Sequence, residues 1–323
     1  MSGDDFLNWR VFLSLYETRS IQDTATELKL DNSSVSRRIS ILERKLGCKL
    51  FNRSVRPFES TIEARDIIVY VQEMIYQRNR INRYYRERQD NDTRTIRLMV
   101  GNNFFKITPN LIHQYSEIFP SLRFNIITPM DITDYLEGKA DIIAVSSHIT
   151  LPNSVFLPRR RIAFIPVASP AYIEKHGPIN HPSQLVNHRV FHNQFKDHYL
   201  LSVNFLLTKN GQAMVFSAHQ NVQYSNVTMV KQAAIDGHGI AISLAPYHCI
   251  DELEEGKLIP ILDGWHRPSQ ANFIAVKDND WKIKSIRQFA SWWTEQLNQY
   301  EKSCEERLVK LYGQSFLDNL THD

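Results

Sequence analysis

The 323-residue sequence predicts a multidomain α/β protein. Its length exceeds what a single hydrophobic core usually serves, so two or three domains are expected. The first sixty residues carry helical periodicity, whereas the chain beyond Arg94 alternates short apolar runs with helical stretches. These observations predict a small helical domain, a long connecting helix and a larger C-terminal domain of two α/β lobes.

The first domain, residues 1–60, is predicted to contain three helices. Apolar residues at mostly helical spacing from 6 to 16 describe one amphipathic helix. Ser20 is placed to cap a second helix, and a third helix follows the turn at 30–32 and stops at Gly47.

A hairpin is predicted to complete this domain. Two short strand-like runs, 49–53 and 58–61, flank a basic tip at 54–57. Three helices followed by such a hairpin make a winged helix-turn-helix.

The linker, residues 61–90, contains neither glycine nor proline, which predicts one long helix. Its apolar side chains step in a heptad pattern and form a seam made of Ile67, Val71, Met74 and Ile81. An apolar seam on a polar helix needs a partner, which is either the same helix of a second chain or the helix's own domain. The first reading predicts a homodimer.

Residues 91–300 are predicted to form the two lobes. Mainly parallel sheets are expected from seven strand-like runs separated by helical stretches, at 96–100, 124–128, 141–145, 162–168, 189–192, 240–244 and 272–276. With crossings near residues 165 and 267, lobe 1 comprises about 94–164 and 267–300, and lobe 2 about 165–266. An amphipathic tail at 301–323 follows, and its role is left open.

Composition and charge exclude some classes of protein. No apolar run reaches the roughly 18 residues of a membrane span, and the start is acidic where a signal peptide is basic, so a cytosolic (cytoplasmic) protein is expected. The three cysteines lack Cys-x-x-Cys spacing, which favours reduced packing residues. Residues 1–90 hold 16 Lys and Arg against 13 Asp and Glu, while residues 91–323 hold 22 of each, so the excess positive charge lies in the N-terminal quarter.

Four motifs resemble the N-terminal domain of LysR-type transcriptional regulators, continuously over about residues 6–65. They are Trp9-x-x-Phe12, Ser20-Ile21-x-x-x-Ala25-x-x-Leu28, Ser34-Val35-Ser36-Arg37-x-Ile39-x-x-Leu42-Glu43-x-x-Leu46-Gly47 and Leu50-Phe51-x-Arg53. Looser landmarks resemble that family's effector-binding domain: Phe119-Pro120, Leu136-x-Gly138-x-x-Asp141, Gly237-x-Gly239-Ile240-Ala241 and Gly256-x-Leu258. The resemblance implies a DNA-binding regulator whose two-lobed C-terminal domain is periplasmic-binding-protein-like.

The sequence departs from the family pattern at a few positions. Thr24 and Thr26 stand where alanines are common, Ser33 where proline is common and Ala64 where glycine is common. These changes remove no contact group.

Base readout is expected from the start of the third helix, which faces base edges in a helix-turn-helix. Asn32, Ser33, Ser34 and Ser36 are the candidates for the major groove. The alternative reading is that Asn32 or Ser33 caps the helix.

Phosphate contacts are expected from nearby arginines. Arg37 and Arg38 leave the third helix toward the phosphates, while Arg53 and Arg56 sit where a wing meets the DNA backbone or the minor groove. A solvated surface charge is the alternative for Arg38.

A small polar or anionic effector is expected in a crevice between the lobes, at strand C-termini and helix N-termini. The candidate contacts are Asn102, Asn103, Phe104, Ser146, Asn193, Asn226 and Thr228. Helix capping by Asn103 or Asn226 is the alternative.

The sequence lacks the motifs that would indicate an enzyme: it has no Gly-x-Ser-x-Gly elbow, phosphate-binding glycine loop or His-Glu-x-x-His helix. His188, His192 and His198 superficially suggest a metal site, but carboxylates near them are scarce, and 236–239 resembles a family turn rather than a dinucleotide loop. We therefore expect a regulator that works as a homodimer or tetramer on double-stranded DNA, without catalysis, cofactor or metal. The rival is a solute-binding protein or small-molecule enzyme built on the α/β part.

Overall fold

The computed structural model describes residues 3–52, 54–55, 57–89, 94–101, 104–146, 151–192, 202–219 and 222–321. The chain forms two compact units, residues 1–94 with 132–139, and residues 95–131 with 140–323.

The N-terminal unit is helical with one small hairpin. Its elements are α1 (Gly3–Thr18), α2 (Ile21–Leu28), α3 (Asn32–Leu46), β1 (Phe51–Asn52), β2 (Glu59–Ser60) and α4 (Ile62–Gln89). β1 and β2 pair antiparallel, so the predicted winged helix-turn-helix is confirmed.

The helix boundaries follow from local capping. The Ser20 side chain accepts a hydrogen bond from the Asp23 amide, which starts α2, and Gly47 ends α3 with φ at +71°. Both predicted signals are confirmed. Thr24, one of the family departures, is buried, and its hydroxyl lies 2.8 Å from that of Thr18, so the extra polar group has a partner.

The core of this unit joins α1, α3 and the hairpin. Phe12 is fully buried, and its ring centroid lies 5.7 Å from that of Phe51 in β1. Val35, Ile39 and Leu42 form the buried side of α3. The opposite side of α3 is thereby left to solvent.

Helix α4 closes the same core, and this changes the interpretation of its apolar seam. Val71 is buried with Ile68 and Ile75 in the core of its own unit, and Ile67 and Met74 pack partly buried against that core. Val71 is therefore not a surface residue. It packs onto its own domain, as the alternative interpretation of the seam predicts, because this face of α4 is needed to cover the three-helix core.

The rest of the predicted seam is different. Ile81 is 58% exposed. Arg78, which takes the heptad position between Met74 and Ile81, places its guanidinium 3.6 Å from the centroid of the Phe6 ring. That contact with an aromatic face explains why a cation is tolerated in the row.

The remaining chain folds into two sheets, a separate hairpin and their helices. In chain order these are β3 (Thr95–Met99), α5 (Thr108–Ile118), β4 (Arg123–Ile127), α6 (Ile132–Leu136), β5 (Ile142–Ser146), β6 (Ser154–Ile162), β7 (Ile165–Ala168), α7 (Pro170–His176), β8 (Val190–Phe191), β9 (Ser202–Lys209), β10 (Gln212–His219), α8 (Val227–Ile235), β11 (Ile240–Leu244), α9 (Pro246–Glu254), β12 (Ile259–Pro260), β13 (Gln270–Lys277), α10 (Asp278–Trp281), α11 (Lys284–Tyr312) and α12 (Gln314–Thr321). By its contacts α6 belongs to the N-terminal unit.

Both sheets are mixed, which corrects the prediction of mainly parallel strands. In the lobe 1 sheet, ordered β4-β3-β5-β13-β6, the first three strands are parallel and β13 runs antiparallel to both neighbours. In the lobe 2 sheet, ordered β12-β7-β11-β8, only β8 and β11 pair in parallel. The antiparallel pairs involve the strands that flank the two crossings between the lobes, which run from β6 to β7 and from β12 to β13.

The C-terminal helices connect the two lobes. The first half of α11 contributes Phe289 and Trp293 to the core of lobe 1, whereas Cys304 and Leu308 from its second half and Leu320 from α12 lie in the core of lobe 2. The tail predicted at 301–323 is therefore part of a lobe core and not an appendage.

Ion pairs fasten this helix on both sides. Arg307 bonds to Asp251 at 2.7 Å and to Glu254, both on α9. Arg159 of β6 pairs with Glu301, a contact within the protein interior.

No helix among the residues described here combines the length and the hydrophobicity that crossing a membrane requires.

Candidate nucleic-acid interface

The tip of α3 is organised by a carboxylate that the sequence analysis left in the turn. Asp31 caps α3: it accepts a hydrogen bond from the Ser34 amide at 2.7 Å, one from the Ser34 hydroxyl at 2.8 Å and one from the Ser33 hydroxyl. The alternative that Asn32 or Ser33 caps the helix is therefore wrong. The hydrogen bond from Ser33, followed by those from Ser34, holds the pKa of the Asp31 carboxyl well below its usual range.

The residues of α3 predicted to contact DNA occupy its first two turns and differ in exposure. Asn32, Ser33 and Arg37 are exposed, and Ser34 and Ser36 are half-buried. The accessible surface at the start of α3 is therefore polar, with a basic side chain, and is carried by a packed three-helix core. Such a face has the size and chemistry that a major groove accommodates.

Arg38 faces its own domain more than solvent. Its guanidinium donates to the Asn8 side-chain oxygen at 2.9 Å, and Asn8 is itself buried in α1. This contact ties α3 to α1, so Arg38 is not simply a solvated surface charge. The wing arginines Arg53 and Arg56 lie outside the described residues.

A second buried carboxylate fixes the start of the wing. Glu43 accepts a hydrogen bond from the buried Leu50 amide at 3.0 Å and another from the Lys49 ammonium at 3.2 Å. The Thr61 hydroxyl donates to the Lys49 carbonyl at 2.8 Å on the other side of the hairpin. Glu43 was not among the predicted functional residues. The available signal was the position of this acid beside Leu42, on the buried side of a helix.

In the C-terminal domain, Phe104 is buried and packed against an aromatic ring and a guanidinium. Its ring stacks at 6.2 Å on Tyr247 of α9, and the Arg159 guanidinium lies 4.6 Å from its centroid. As a predicted effector contact, Phe104 presents little free surface, because its ring joins lobe 1 to lobe 2.

The other predicted effector residues divide into two groups. Asn226 caps α8 and accepts a hydrogen bond from the Thr228 amide at 2.8 Å. The alternative prediction that Asn226 is a helix cap is thereby confirmed. The Thr228 amide is thus already bonded, and its side chain is exposed. Ser146 is the last residue of β5, opposite Asn272, while Asn102, Asn103 and Asn193 lie outside the described residues.

One small cavity adjoins the buried pair of Arg159 and Glu301. It measures about 10 Å³ and is lined by Arg161, Ile162, Ala163, Pro246, Tyr247, Glu301 and Glu305. This volume suits a single water molecule and no larger effector. Burial raises the pKa of the Glu301 carboxyl, against the opposing effect of Arg159.

His188 and His192, two of the histidines that superficially suggest a metal site, have other contacts. His188 shares a 3.0 Å hydrogen bond with the Tyr172 hydroxyl, His192 packs edge-on against Phe205, and His198 is not among the described residues. Within the described part of the chain, no three His, Cys, Asp or Glu side chains are grouped to hold a metal ion.

The glycines before β11 serve packing. A Cβ on Gly239 would lie 2.5 Å from the carbonyl oxygen of Arg189, so glycine lets β11 approach β8. Gly237 adopts a φ of +72° in the turn after α8.

Two family models match the chain. The model of the bacterial regulatory helix-turn-helix protein, lysR family, matches residues 6–65, and the model of the LysR substrate binding domain matches residues 89–298. The first covers the three helices and the wing, and the second covers both lobes as far as the middle of α11.

Similar proteins are transcriptional regulators. The HTH-type transcriptional regulator CrgA of Neisseria meningitidis serogroup C is 24% identical over 303 residues, which cover 89% of this chain and 95% of the relative. The glycine cleavage system transcriptional activator of Escherichia coli K12 is 23% identical over 283 residues, covering 88% and 90%.

Solved structures share the fold over nearly the whole length. CrgA from Neisseria meningitidis has a TM-score of 0.54 at 20% identity and covers 92% of this chain and 98% of its own. The full-length virulence activator AphB of Vibrio cholerae has a TM-score of 0.55 at 20% identity and covers 92% and 99%. With an N-terminal winged helix-turn-helix and a C-terminal two-lobed substrate-binding domain, this chain belongs to the LysR family of DNA-binding transcriptional regulators.

Proposed function

We propose that the chain regulates transcription by placing the exposed side of α3 in the major groove of double-stranded DNA. The observation that carries this proposal is the polar, basic face of α3, which projects from a core fixed by Arg38 on one side and Glu43 on the other. Base contacts are assigned to Asn32, Ser33, Ser34 and Ser36, and phosphate contacts to Arg37, Arg53 and Arg56, whereas Arg38, which was also predicted to contact phosphate, is assigned to holding α3 against α1. No catalytic step, cofactor or metal is part of this role, and genomic DNA as target implies the cytoplasm.

Arg37→Ala tests this assignment most simply. Loss of one phosphate contact should weaken binding to all sequences and make the slope of log affinity against log salt shallower by about 0.9. The exposed Arg123, on β4, provides the charge-matched control Arg123→Ala. A gel shift on genomic fragments with competitor DNA measures both variants, and an unchanged salt slope for Arg37→Ala would remove Arg37 from the interface.

We further propose that the chain acts as a homodimer or tetramer joined through α4. The exposed side of that helix carries Tyr70, Ile81 and Tyr85 in a row along one face, and Ile62 and Val69 are exposed on the adjoining face. Tyr70 is 74% exposed and Ile81 58%, an unusual amount of apolar surface for one helix. This row replaces the predicted seam as the candidate interface, with Ile81 common to both, while Ile67 and Met74 would lie at its edge.

Charges placed in this row should weaken association without unfolding the chain. Tyr70→Glu with Ile81→Glu should lower the oligomeric state in sedimentation velocity, because burying unpaired carboxylates is costly. Arg65→Glu, on the same helix and exposed, is the control. If the double variant sediments like the parent, the interface lies elsewhere.

The C-terminal domain is proposed to bind a small polar or anionic effector between its lobes and so to bias how the oligomer engages DNA. Support comes from the exposed Thr228 in the first turn of α8 and from Ser146 at the end of β5. The predicted contacts Asn102, Asn103 and Asn193 lie outside the described residues and stay predictions. An effector shifts DNA binding only if its affinity differs between two arrangements of the protein.

A thermal-shift screen of small carboxylates and amino acids tests the effector site. Thr228→Ala should reduce the shift caused by a hit, whereas Ser303→Ala, an exposed hydroxyl on α11, should not. A hit that stabilises Thr228→Ala as well as the parent would place the effector elsewhere.

A further inference from the structure

Two serine hydroxyls at the start of α3 share one hydrogen-bond acceptor. Ser33 and Ser34 each donate their hydroxyl hydrogen to the Asp31 carboxylate, at 2.8 Å in the case of Ser34. A serine hydroxyl has one hydrogen to donate and otherwise only lone pairs. Asp31, Ser33 and Ser34, here called the acceptor cluster, therefore offer hydrogen-bond acceptors and no side-chain donor to an incoming molecule.

The acceptor cluster carries a negative charge on a surface that is proposed to face DNA. Asp31 is exposed, and its hydrogen bonds keep it ionised, while the neighbouring exposed residues of α3 are the neutral Asn32 and the basic Arg37. The other acid of α3, Glu43, is buried against the wing. A carboxylate that faces phosphates costs binding energy unless it gains a specific partner on the DNA.

The four bases differ in what they could supply. In the major groove, cytosine presents an amino donor, and adenine presents an amino donor beside the N7 acceptor. Guanine and thymine present acceptors there, which would repel a surface made only of acceptors. Capping alone does not need a carboxylate, because serine and asparagine cap helices about equally well.

On the basis of the role proposed above for α3, we propose that the acceptor cluster determines specificity, with Asp31 accepting a hydrogen bond from the exocyclic amino group of cytosine. Ser33 and Ser34 also act as positioning residues, since their hydroxyl hydrogens orient the carboxylate while their oxygen lone pairs remain available to base donors. The proposal adds Asp31 to the base contacts assigned above to the two serines. It concerns one base pair in each half-site.

Asp31→Asn separates the charge from the cap. Asparagine caps as well as aspartate does and has the same shape, but it carries no charge and replaces one acceptor oxygen by an amino donor. Asp23→Asn is the matched control, since Asp23 is an exposed acid in the first turn of α2 in the same domain. Equal melting temperatures of the two variants and the parent establish that the fold is retained.

The experiment is selection of binding sites from randomised double-stranded DNA by the full-length protein, followed by sequencing. The parent should select cytosine at one position of each half-site, and Asp31→Asn should reduce that preference about tenfold. Asp23→Asn should leave it unchanged. The inference is overturned if the parent shows no such cytosine, or if Asp31→Asn keeps the preference within about twofold.

Arg37→Ala in the same selection distinguishes the two levels of the proposal. If Arg37→Ala weakens binding while Asp31→Asn changes no preference, only the role of the acceptor cluster is refuted. If neither variant changes binding or selection, the proposed placement of α3 in the groove fails as well.

Discussion

Leu308 and Leu311 lie three residues apart on α11 and differ sharply in burial, with exposed fractions of 0% and 40%. Leu308 belongs to the lobe 2 core together with Cys249, Ile250 and Leu253 of α9. The substitution Leu308→Ala removes buried methyl groups and leaves a cavity, and such changes in well-packed cores cost about 3 kcal/mol or more. For a domain of this size, about 3 kcal/mol corresponds to a fall of about 6 to 12 °C in melting temperature.

The assay is thermal unfolding of the full-length chain followed by tryptophan fluorescence. Of the five tryptophans, four (Trp265, Trp281, Trp292 and Trp293) lie in the C-terminal unit, so the signal reports mainly its unfolding. Leu311→Ala, the same chemical change at an exposed position, should alter stability by less than about 0.5 kcal/mol. Equal effects of the two substitutions would refute the conclusion that the C-terminal segment completes the core of lobe 2.

Two further predictions concern buried polar groups. Glu43→Ala should lower the unfolding free energy of the full-length chain by about 1–3 kcal/mol, because it leaves the buried Leu50 amide without an acceptor. Glu43→Gln keeps an acceptor oxygen and should cost less. Equal losses of the two variants in urea unfolding would contradict this. Burial, helped by the charge of Lys231, lowers the pKa of His248 to about 3, so the folded chain leaves this imidazole neutral while the unfolded chain protonates it below its ordinary 6.5. Stability should therefore fall as the pH drops from about 6.5 toward 3, by at most about 1.4 kcal/mol per pH unit from this group. His248→Gln should flatten that dependence and the exposed His238→Gln should not; parallel curves for His248→Gln and the parent would be the contrary result.

The N-terminal domain was predictable because its signals are local. Ser20 and Gly47 mark helix ends by short-range hydrogen bonding and backbone conformation, and the buried side of α3 follows from helical spacing. Asp31 escaped because Leu30 to Asn32 has the composition of a turn, and an aspartate there serves equally well as turn residue or cap. Its hydrogen bonds to two serines depend on rotamers that the sequence does not specify.

The apolar seam of α4 shows a limit of periodicity. A heptad pattern identifies apolar residues that share a face but not the surface that this face meets. Val71 packs into the helix-turn-helix core, while Tyr70, one position along, points to solvent. Only the three-dimensional arrangement of α1 and α3 decides which row is covered.

In the C-terminal domain the omissions have two causes. Strand β6 was missed because Arg159 to Arg161 look like a solvated charge run, yet Arg159 is buried against Glu301, which lies 142 residues later in the chain. The β9–β10 hairpin had a local signal that went unused, since Asn210-Gly211 is a favoured two-residue turn, and both residues adopt positive φ.

The effector contacts were the least predictable part of the site. Phe104 follows a strand end, where ligands often bind, but its stacking on Tyr247 depends on a contact between segments more than a hundred residues apart. Asn226 could be read either as ligand contact or as cap, and its hydrogen bond to the Thr228 amide identifies the cap.

We propose that α3 enters the major groove with its capped end against the bases. The most direct measurement is the structure of the full-length protein bound to a genomic DNA fragment that it retains in the presence of competitor DNA. We expect α3 in the major groove, with Arg37 within hydrogen-bond distance of a phosphate and Asp31 facing a base edge. A complex in which α3 lies outside the groove, with another element at the base edges, would contradict it.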